Sequence, residues 1–291
     1  MKKVLCVVLS FILCFPIVPV FAENTPFSDV TGVEMERKTG LLSALGIVSG
    51  YEDGTFRGER LVTRAEMAVL ISKALGFDDK SEDVKERMSI FGSFADVPED
   101  HWGVGGIYIA YLKKIISGYG DGMFLPDKNV TFQEAVKMLV VALGYNLKID
   151  EENAWPQGYL NMAEEAGITE GIEHNPEDYC DRNTIVKLLY NSLHIQSLDK
   201  CMCGEILECD VWITESLHIY VIKDIDTFEY NEETNTVKVS GKKIELNSEN
   251  PVDTEIKLGE NVIIPEGEIY RLYVLREDSA EKTETIIYIM Q

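Results

Sequence analysis

The chain has 291 residues, 45% of them hydrophobic, and its 27 Lys and Arg against 50 Asp and Glu give a formal net charge of -23 at neutral pH. A charge of that sign argues against DNA, RNA or an anionic membrane surface as partner and keeps an exported chain in solution. The length exceeds what one small core holds and suggests two domains.

At the amino terminus Lys2 and Lys3 precede an apolar run over residues 4–20, and Val20-Phe21-Ala22 offers a cleavage point before Glu23. This pattern predicts a secretory signal peptide over residues 1–22, whose removal makes the chain two charges more negative. A retained anchor needs about 20 apolar residues, and here Pro16 and Pro19 interrupt the run. Leu13 ahead of Cys14 is not the small residue that lipid-attachment signals carry, and no later stretch is long or apolar enough to cross a bilayer.

Residues 27–77 are then written a second time. Phe27-Ser28-Asp29-Val30 returns as Phe94-Ala95-Asp96-Val97, Gly50-Tyr51-Glu52-Asp53-Gly54-Thr55-Phe56 as Gly118-Tyr119-Gly120-Asp121-Gly122-Met123-Phe124, and Thr63-Arg64-Ala65-Glu66 as Thr131-Phe132-Gln133-Glu134. Repetition on this scale marks one supersecondary unit that buries its apolar face only against neighbours. Each Thr-x-x-Glu predicts a capping box, in which hydroxyl and carboxylate each satisfy an orphan backbone N–H. Apolar residues follow at helical spacing, at Met67, Leu70, Ile71, Ala74 and Leu75 and at Ala135, Met138, Leu139, Ala142 and Leu143. Gly76 and Gly144 stand where a left-handed helix end is wanted. The same offsets past Asp181 give Ile185, Leu188, Leu189, Ser192 and Leu193, so a third, degenerate copy is present with Thr184 in place of the glutamate. Three capped helices with one apolar face each are expected to bury those faces together.

The order Phe-x-Asp-Val, Gly-Ile-Val-Ser-Gly-Tyr-x-Asp-Gly-Thr-Phe and Val-Thr-Arg-Ala-Glu-Met-Ala resembles the S-layer homology (SLH) domain of bacterial cell-surface proteins, over about residues 27–194. The resemblance implies a mainly α pseudo-trimer around a three-helix bundle, with repeats at 23–78, 91–146 and 147–196. It implies grooves that bind secondary cell-wall polysaccharide, commonly carrying a pyruvylated sugar, and so hold the protein non-covalently on peptidoglycan. It also implies which residues serve: Asp29, Gly50 and Arg64 in the first copy, Asp96, Trp102 and Gly118 in the second, Trp155 and Arg182 in the third. A guanidinium at a helix start meets a carboxylate in two parallel hydrogen bonds, and the helix N-terminus adds to the attraction. The plain alternative is that Arg64 is a solvated surface residue.

Phe132 and Gln133 replace the Arg-Ala pair in the second copy, so its groove is expected to lack the anion contact, with Phe132 stacking on a sugar or simply packing. Trp102 and Trp155 suit sugar C–H faces or a repeat junction equally. Gly50 and Gly118 let a ligand approach the backbone, as the resemblance implies, while Gly54 and Gly122 supply positive φ and Phe56 and Phe124 return the chain to the core. The Gly-Tyr-x-Asp-Gly turns lack the alternating oxygen ligands and late glutamate of a calcium loop and read as tight turns. Neither cofactor nor metal is expected.

Four cysteines lie past the signal, at Cys180, Cys201, Cys203 and Cys209. Outside the cell they permit disulfides or free thiols, and Cys201-x-Cys203 lacks the two-residue gap of a zinc site. Paired with that cluster, Cys180 would tie the last repeat to a linker over 195–208. Beyond it, Val, Ile, Thr and Tyr predict a small antiparallel barrel or sandwich over 205–291, with a hairpin turning at Ser240-Gly241 and strands at 269–275 and 285–290. Nucleophile elbows, His-Glu-x-x-His pairs and phosphate loops are absent from the sequence, and its four histidines are scattered. An anchoring protein that displays a β domain is therefore the expectation. A surface hydrolase or accessory subunit, with its chemistry in the C-terminal half, is the alternative.

Overall fold

A computed structural model describes residues 26–77, 94–150, 154–200, 205–211, 217, 219–245, 248–260, 262, 264, 269, 271–276 and 284–290. The signal-peptide expectation lies outside them, as do Cys201 and Cys203. Helices α1 (Val33–Ala44), α2 (Arg64–Ala74), α3 (Val104–Leu112), α4 (Phe132–Ala142), α5 (Tyr159–Glu165) and α6 (Arg182–Leu193) come first. Strands β1 (Gln196–Lys200), β2 (Ile206–Val211), β3 (Ile219–Asn231), β4 (Thr236–Glu245), β5 (Ser248–Leu258), β6 (Arg271–Arg276) and β7 (Glu284–Met290) follow. No helix among the described residues is long and apolar enough to cross a membrane.

The caps behave as the residue types dictate. The Thr63 hydroxyl accepts the Glu66 N–H while the Glu66 carboxylate accepts the Thr63 N–H, and Thr131 and Glu134 repeat the arrangement. Asp181 accepts from the Thr184 N–H, with no glutamate to reciprocate. Gly76 and Gly144 adopt φ of 76° and 81°, the left-handed ends anticipated from their positions. Along the three helices Met67, Ile71, Leu139, Leu188 and Leu189 are fully enclosed, so the apolar stripes form the shared core. Ser192, the polar intruder in that stripe, donates back to the Leu188 carbonyl.

Ahead of each capped helix a single residue joins a closed ring of backbone hydrogen bonds. The Val62 N–H donates to the Cys180 carbonyl (3.0 Å), Cys180 to Val130 (3.0 Å) and Val130 to Val62 (2.9 Å). Two residues on, the first helical N–H of each copy, which has no partner within its own helix, donates across to a neighbouring copy: Arg64 to Lys128, Phe132 to Asp178 and Arg182 to Arg60. Helices α3 and α5 pack on α2 and α4 respectively, while α1 packs on α6. A Cβ on Gly106 would meet the Val69 backbone at 2.8 Å, so α3 lies on α2 at a distance only glycine permits. Cys180, at the ring, is a buried free thiol, the second of the two alternatives that the sequence left open for it. It fills a slot equivalent to those of Val62 and Val130, as a small apolar side chain.

Strands β3–β4–β5–β7–β6 close into a barrel that is antiparallel except for the β5–β7 pair, the Greek-key arrangement of an OB-type fold. The barrel alternative is thus the one adopted, with one parallel pair in place of a wholly antiparallel sheet. Two further expectations are corrected. Ser240-Gly241 is not a turn: β4 runs unbroken through it, because β3 bulges at Asp224 (φ 47°) and its Lys223 carbonyl would sit 2.8 Å from a Cβ at position 241. Residues 196–200 and 206–211 are not a linker but the strands of a two-stranded sheet, fixed to the end of α4 by the Leu198 N–H to Leu143 carbonyl bond.

The barrel rests on the helical part. Ile219, Val221, Tyr273, Tyr288 and Met290 belong to the same hydrophobic cluster as the helices, and the Tyr288 hydroxyl donates to the Arg37 carbonyl at 3.2 Å. His194, just past α6, donates through Nδ1 to the Tyr190 carbonyl and accepts from the Tyr273 hydroxyl through Nε2. The Tyr273 and Tyr288 hydroxyls thus find partners on burial, whereas the buried Tyr108 hydroxyl has none among the described residues.

Candidate functional site

Each arginine at a helix start serves the turn of a neighbouring copy. The Arg64 side chain leaves the start of α2 and is buried under the turn of the second copy, where its Nε donates to the Phe124 carbonyl (3.0 Å) and its Nη1 lies 3.4 Å from Glu134. Its guanidinium stands 4.7 Å from the Phe124 ring centroid and 4.9 Å from that of Tyr119. The solvated-surface alternative for Arg64 is therefore excluded. Arg182 repeats the geometry one copy round, donating to the Phe56 carbonyl (2.9 Å) and the Ser49 carbonyl (2.7 Å) and lying 4.2 Å from the Phe56 ring. Burial works against its charge, with Tyr51 and Glu66 opposing that effect.

This sharing relocates the lost arginine. Phe132, at the start of α4, faces the third copy and stacks on His174 with centroids 4.9 Å apart and planes 8° from parallel. The groove without a guanidinium is therefore that of the third copy, not the second, and Phe132 packs, being 5% exposed. That cavity is rimmed by Glu164, Glu170 and Glu173. The third turn is also shorter: five positions separate Gly171 from Pro176, against eight from Gly50 to Gly58 and from Gly118 to Pro126.

Asp29 and Asp96 hold turns. Asp29 accepts the Phe56 and Arg57 N–H groups at 2.6 and 2.7 Å, and Asp96 those of Phe124 and Leu125 at 2.8 and 2.6 Å. The strained positive φ of Arg57 (55°) and Leu125 (59°) sits at these clamped residues. Burial would raise the Asp29 carboxyl, but the two N–H groups outweigh it and hold it below the usual carboxylate range. Asp29→Asn, which keeps one acceptor and loses the charge, is expected to cost about 1 kcal/mol of stability. A lowered urea midpoint at unchanged slope would register it, whereas an unaltered midpoint would free Asp29 for another role.

Gly50 and Gly118 are required by packing within their own copies. A Cβ there would lie 2.4 Å from Phe27 or 2.8 Å from Phe94, and within 2.8 Å of a turn carbonyl. Trp102 and Trp155 are exposed, at 58% and 51%. Trp102 tilts against His101 (5.5 Å), and the neighbouring Gly103 faces Val69 of α2. Trp155 precedes a cis Pro156 and stands over α4, with the Lys137 Nζ 5.5 Å from its ring.

Arg64 of the first copy, Gly118 and Tyr119 of the second and Trp155 of the third therefore meet around one cavity of about 290 Å³. Three residues there escaped the sequence reading. Glu134, which sequence presents as a cap alone, also takes the Tyr119 hydroxyl (3.1 Å), Arg64 and Lys128 (3.5 Å). Burial would raise its carboxyl, but the Thr131 N–H, Arg64, Lys128 and Tyr119 together hold it low. Lys137 lines the cavity itself, and Lys128 stands beside it, donating to the Tyr119 hydroxyl and facing Glu134. Comparison of the three capped helices at the sixth position past the cap, Val69, Lys137 and Lys187, would have exposed Lys137.

Residues 26–68 and 93–136 match the model of the S-layer homology domain. The chain is 32% identical over 232 residues to a surface layer protein of Brevibacillus choshinensis, covering 78% of this chain and 20% of that protein. It is 32% identical over 197 residues to a cell surface protein of Thermoanaerobacter kivui (67% and 25% covered). It is 29% identical over 175 residues to a cellulosome-anchoring protein of Acetivibrio thermocellus (55% and 37% covered). The chain thus spans between a fifth and two fifths of the length of these relatives.

Proposed function

Because the chain is an S-layer homology domain protein, we propose that it is exported and anchors non-covalently to the bacterial cell wall by binding secondary cell-wall polysaccharide, through its acidic, pyruvylated sugars. The repeats at 23–78, 91–146 and 147–196 form the anchor as a three-pronged pseudo-trimer, and the region 205–291 is the part it carries. The cyclic hydrogen bonds of Val62, Val130 and Cys180 support the threefold reading. The three relatives are named for a surface layer, the cell surface and anchoring, not for a reaction, which favours binding over catalysis.

The observation that carries the reading is the Arg64–Tyr119–Trp155 cavity. It offers a positively charged fork for a carboxylate, and an exposed indole face beside it for the apolar side of a sugar ring. Sedimentation of the mature protein with purified sacculi, before and after chemical removal of the wall polysaccharide, tests it. The protein is expected to pellet with the intact material and to stay in solution with the stripped material. Failure to pellet with polysaccharide-bearing sacculi overturns the anchor.

A further inference from the structure

We propose that Lys137 adds a second anion contact to the groove of Arg64, so that this groove selects a sugar unit bearing two negative charges over one bearing a single charge. The proposal rests on the reading of that groove as a glycan site. Lys137 lines the same cavity as Arg64, Gly118 and Trp155, and its Nζ lies 5.5 Å from the Trp155 centroid and 5.7 Å from that of Tyr159. The two rings flank the ammonium of a lysine that lines the cavity.

Among the described residues no carboxylate stands within ion-pair distance of Lys137. Glu134, the nearest candidate, is already shared by Arg64, Lys128 and Tyr119. Burial first, and then the Arg64 guanidinium, push the Lys137 ammonium below its usual range, with Glu134 opposing. Two like charges facing one concavity cost free energy in the empty groove, and a ligand that answers both relieves that cost. A singly charged sugar answers one. The arginine supplies a flat fork and the lysine a mobile point charge, so the pair suits two groups of different shape, such as a ketal carboxylate and a phosphate.

The other grooves differ at one member of the pair. The first has Arg182, but Val69 stands at the position of Lys137; the third has Lys187 there, but Phe132 replaces the arginine. Only the second groove combines guanidinium and ammonium at these two positions.

Isothermal titration of the mature full-length protein at pH 8 with glucose 6-phosphate, glucuronate and glucose compares two, one and no charges on similar rings. The wild type is expected to bind glucose 6-phosphate about fivefold more tightly than glucuronate, the size of a part-exposed ion pair. Lys137→Gln is expected to bring that ratio close to one, Lys137→Arg to retain it, and both variants to melt like the wild type. An equal ratio in wild type and Lys137→Gln overturns the proposal, as does the absence of any preference, including no detectable binding of either acid sugar. Loss of sacculus sedimentation together with a Lys137-dependent preference would defeat the wall anchor and leave the two-charge groove standing. Retained sedimentation without the preference would do the reverse.

Discussion

Arg64→Ala is expected to weaken binding to polysaccharide-bearing sacculi about ten- to a hundredfold, the 1.5 to 3 kcal/mol of a hydrogen bond to a charged group. The same side chain holds the Phe124 carbonyl and one edge of Glu134, so its removal also leaves a turn carbonyl and a part-buried carboxylate short of a partner. A fall in melting temperature is therefore expected alongside the lost affinity. Arg64→Lys separates the two effects: it restores charge beside Glu134 but not the flat fork, and is expected to recover more stability than affinity. Sedimentation isotherms and thermal melts on the same samples decide. Unchanged sacculus binding in a folded Arg64→Ala protein would remove the guanidinium from the ligand site and leave it as a brace for the second turn.

Stability is expected to fall on acidification through His194, where the helical part meets the barrel. Burial, with the Tyr190 carbonyl opposing and Arg271 assisting, depresses this imidazole to about 4 from an ordinary 6.5. The unfolded chain then binds more protons than the folded one between these values. The contribution of the neutral ring is complete above about pH 6.5, declines as the pH drops, and is gone below about 4. At 1.36 kcal/mol per unit its full size is at most about 3 kcal/mol. Protonation would place a cation facing Arg271, among Tyr190 and Tyr273, and would leave Nε2 without a lone pair for the Tyr273 hydroxyl. Urea titrations from pH 7 to 4, comparing wild type with His194→Gln, measure it. The two curves are expected to converge toward acid pH, and parallel curves would refute this account.

Local chemistry was the legible part of this molecule. Thr63 with Glu66, and Thr131 with Glu134, announce their helix starts because both halves of a capping box lie within four residues. Gly76, Gly144, Gly54 and Gly122 announce left-handed backbone for a similarly local reason. The grooves were harder to see because their parts lie about 60 to 130 residues apart: Arg64 serves Phe124, and Arg182 serves Phe56. Reading copy by copy assigned Phe132 to the wrong turn for that reason. Ser240-Gly241 misled in another way, since glycine answers both a tight reversal and a close crossing, and only the bulge at Asp224 in β3 distinguishes them. Cys180 stayed undecided between disulfide and free thiol because composition counts thiols and cannot show that Val62 and Val130 fill the equivalent positions.

Because the ring of Val62, Cys180 and Val130 closes on itself, every recess belongs to a junction, and a solitary unit owns none. Two units in a row would own one pairing of arginine and turn, without the indole that the third copy adds, while three joined in a circle own three. A change at one helix start is therefore felt in the adjoining turn. The replacement of arginine by Phe132 is such an event: the second copy carries the altered residue, and the third copy shows its effect in the imidazole that stacks against it.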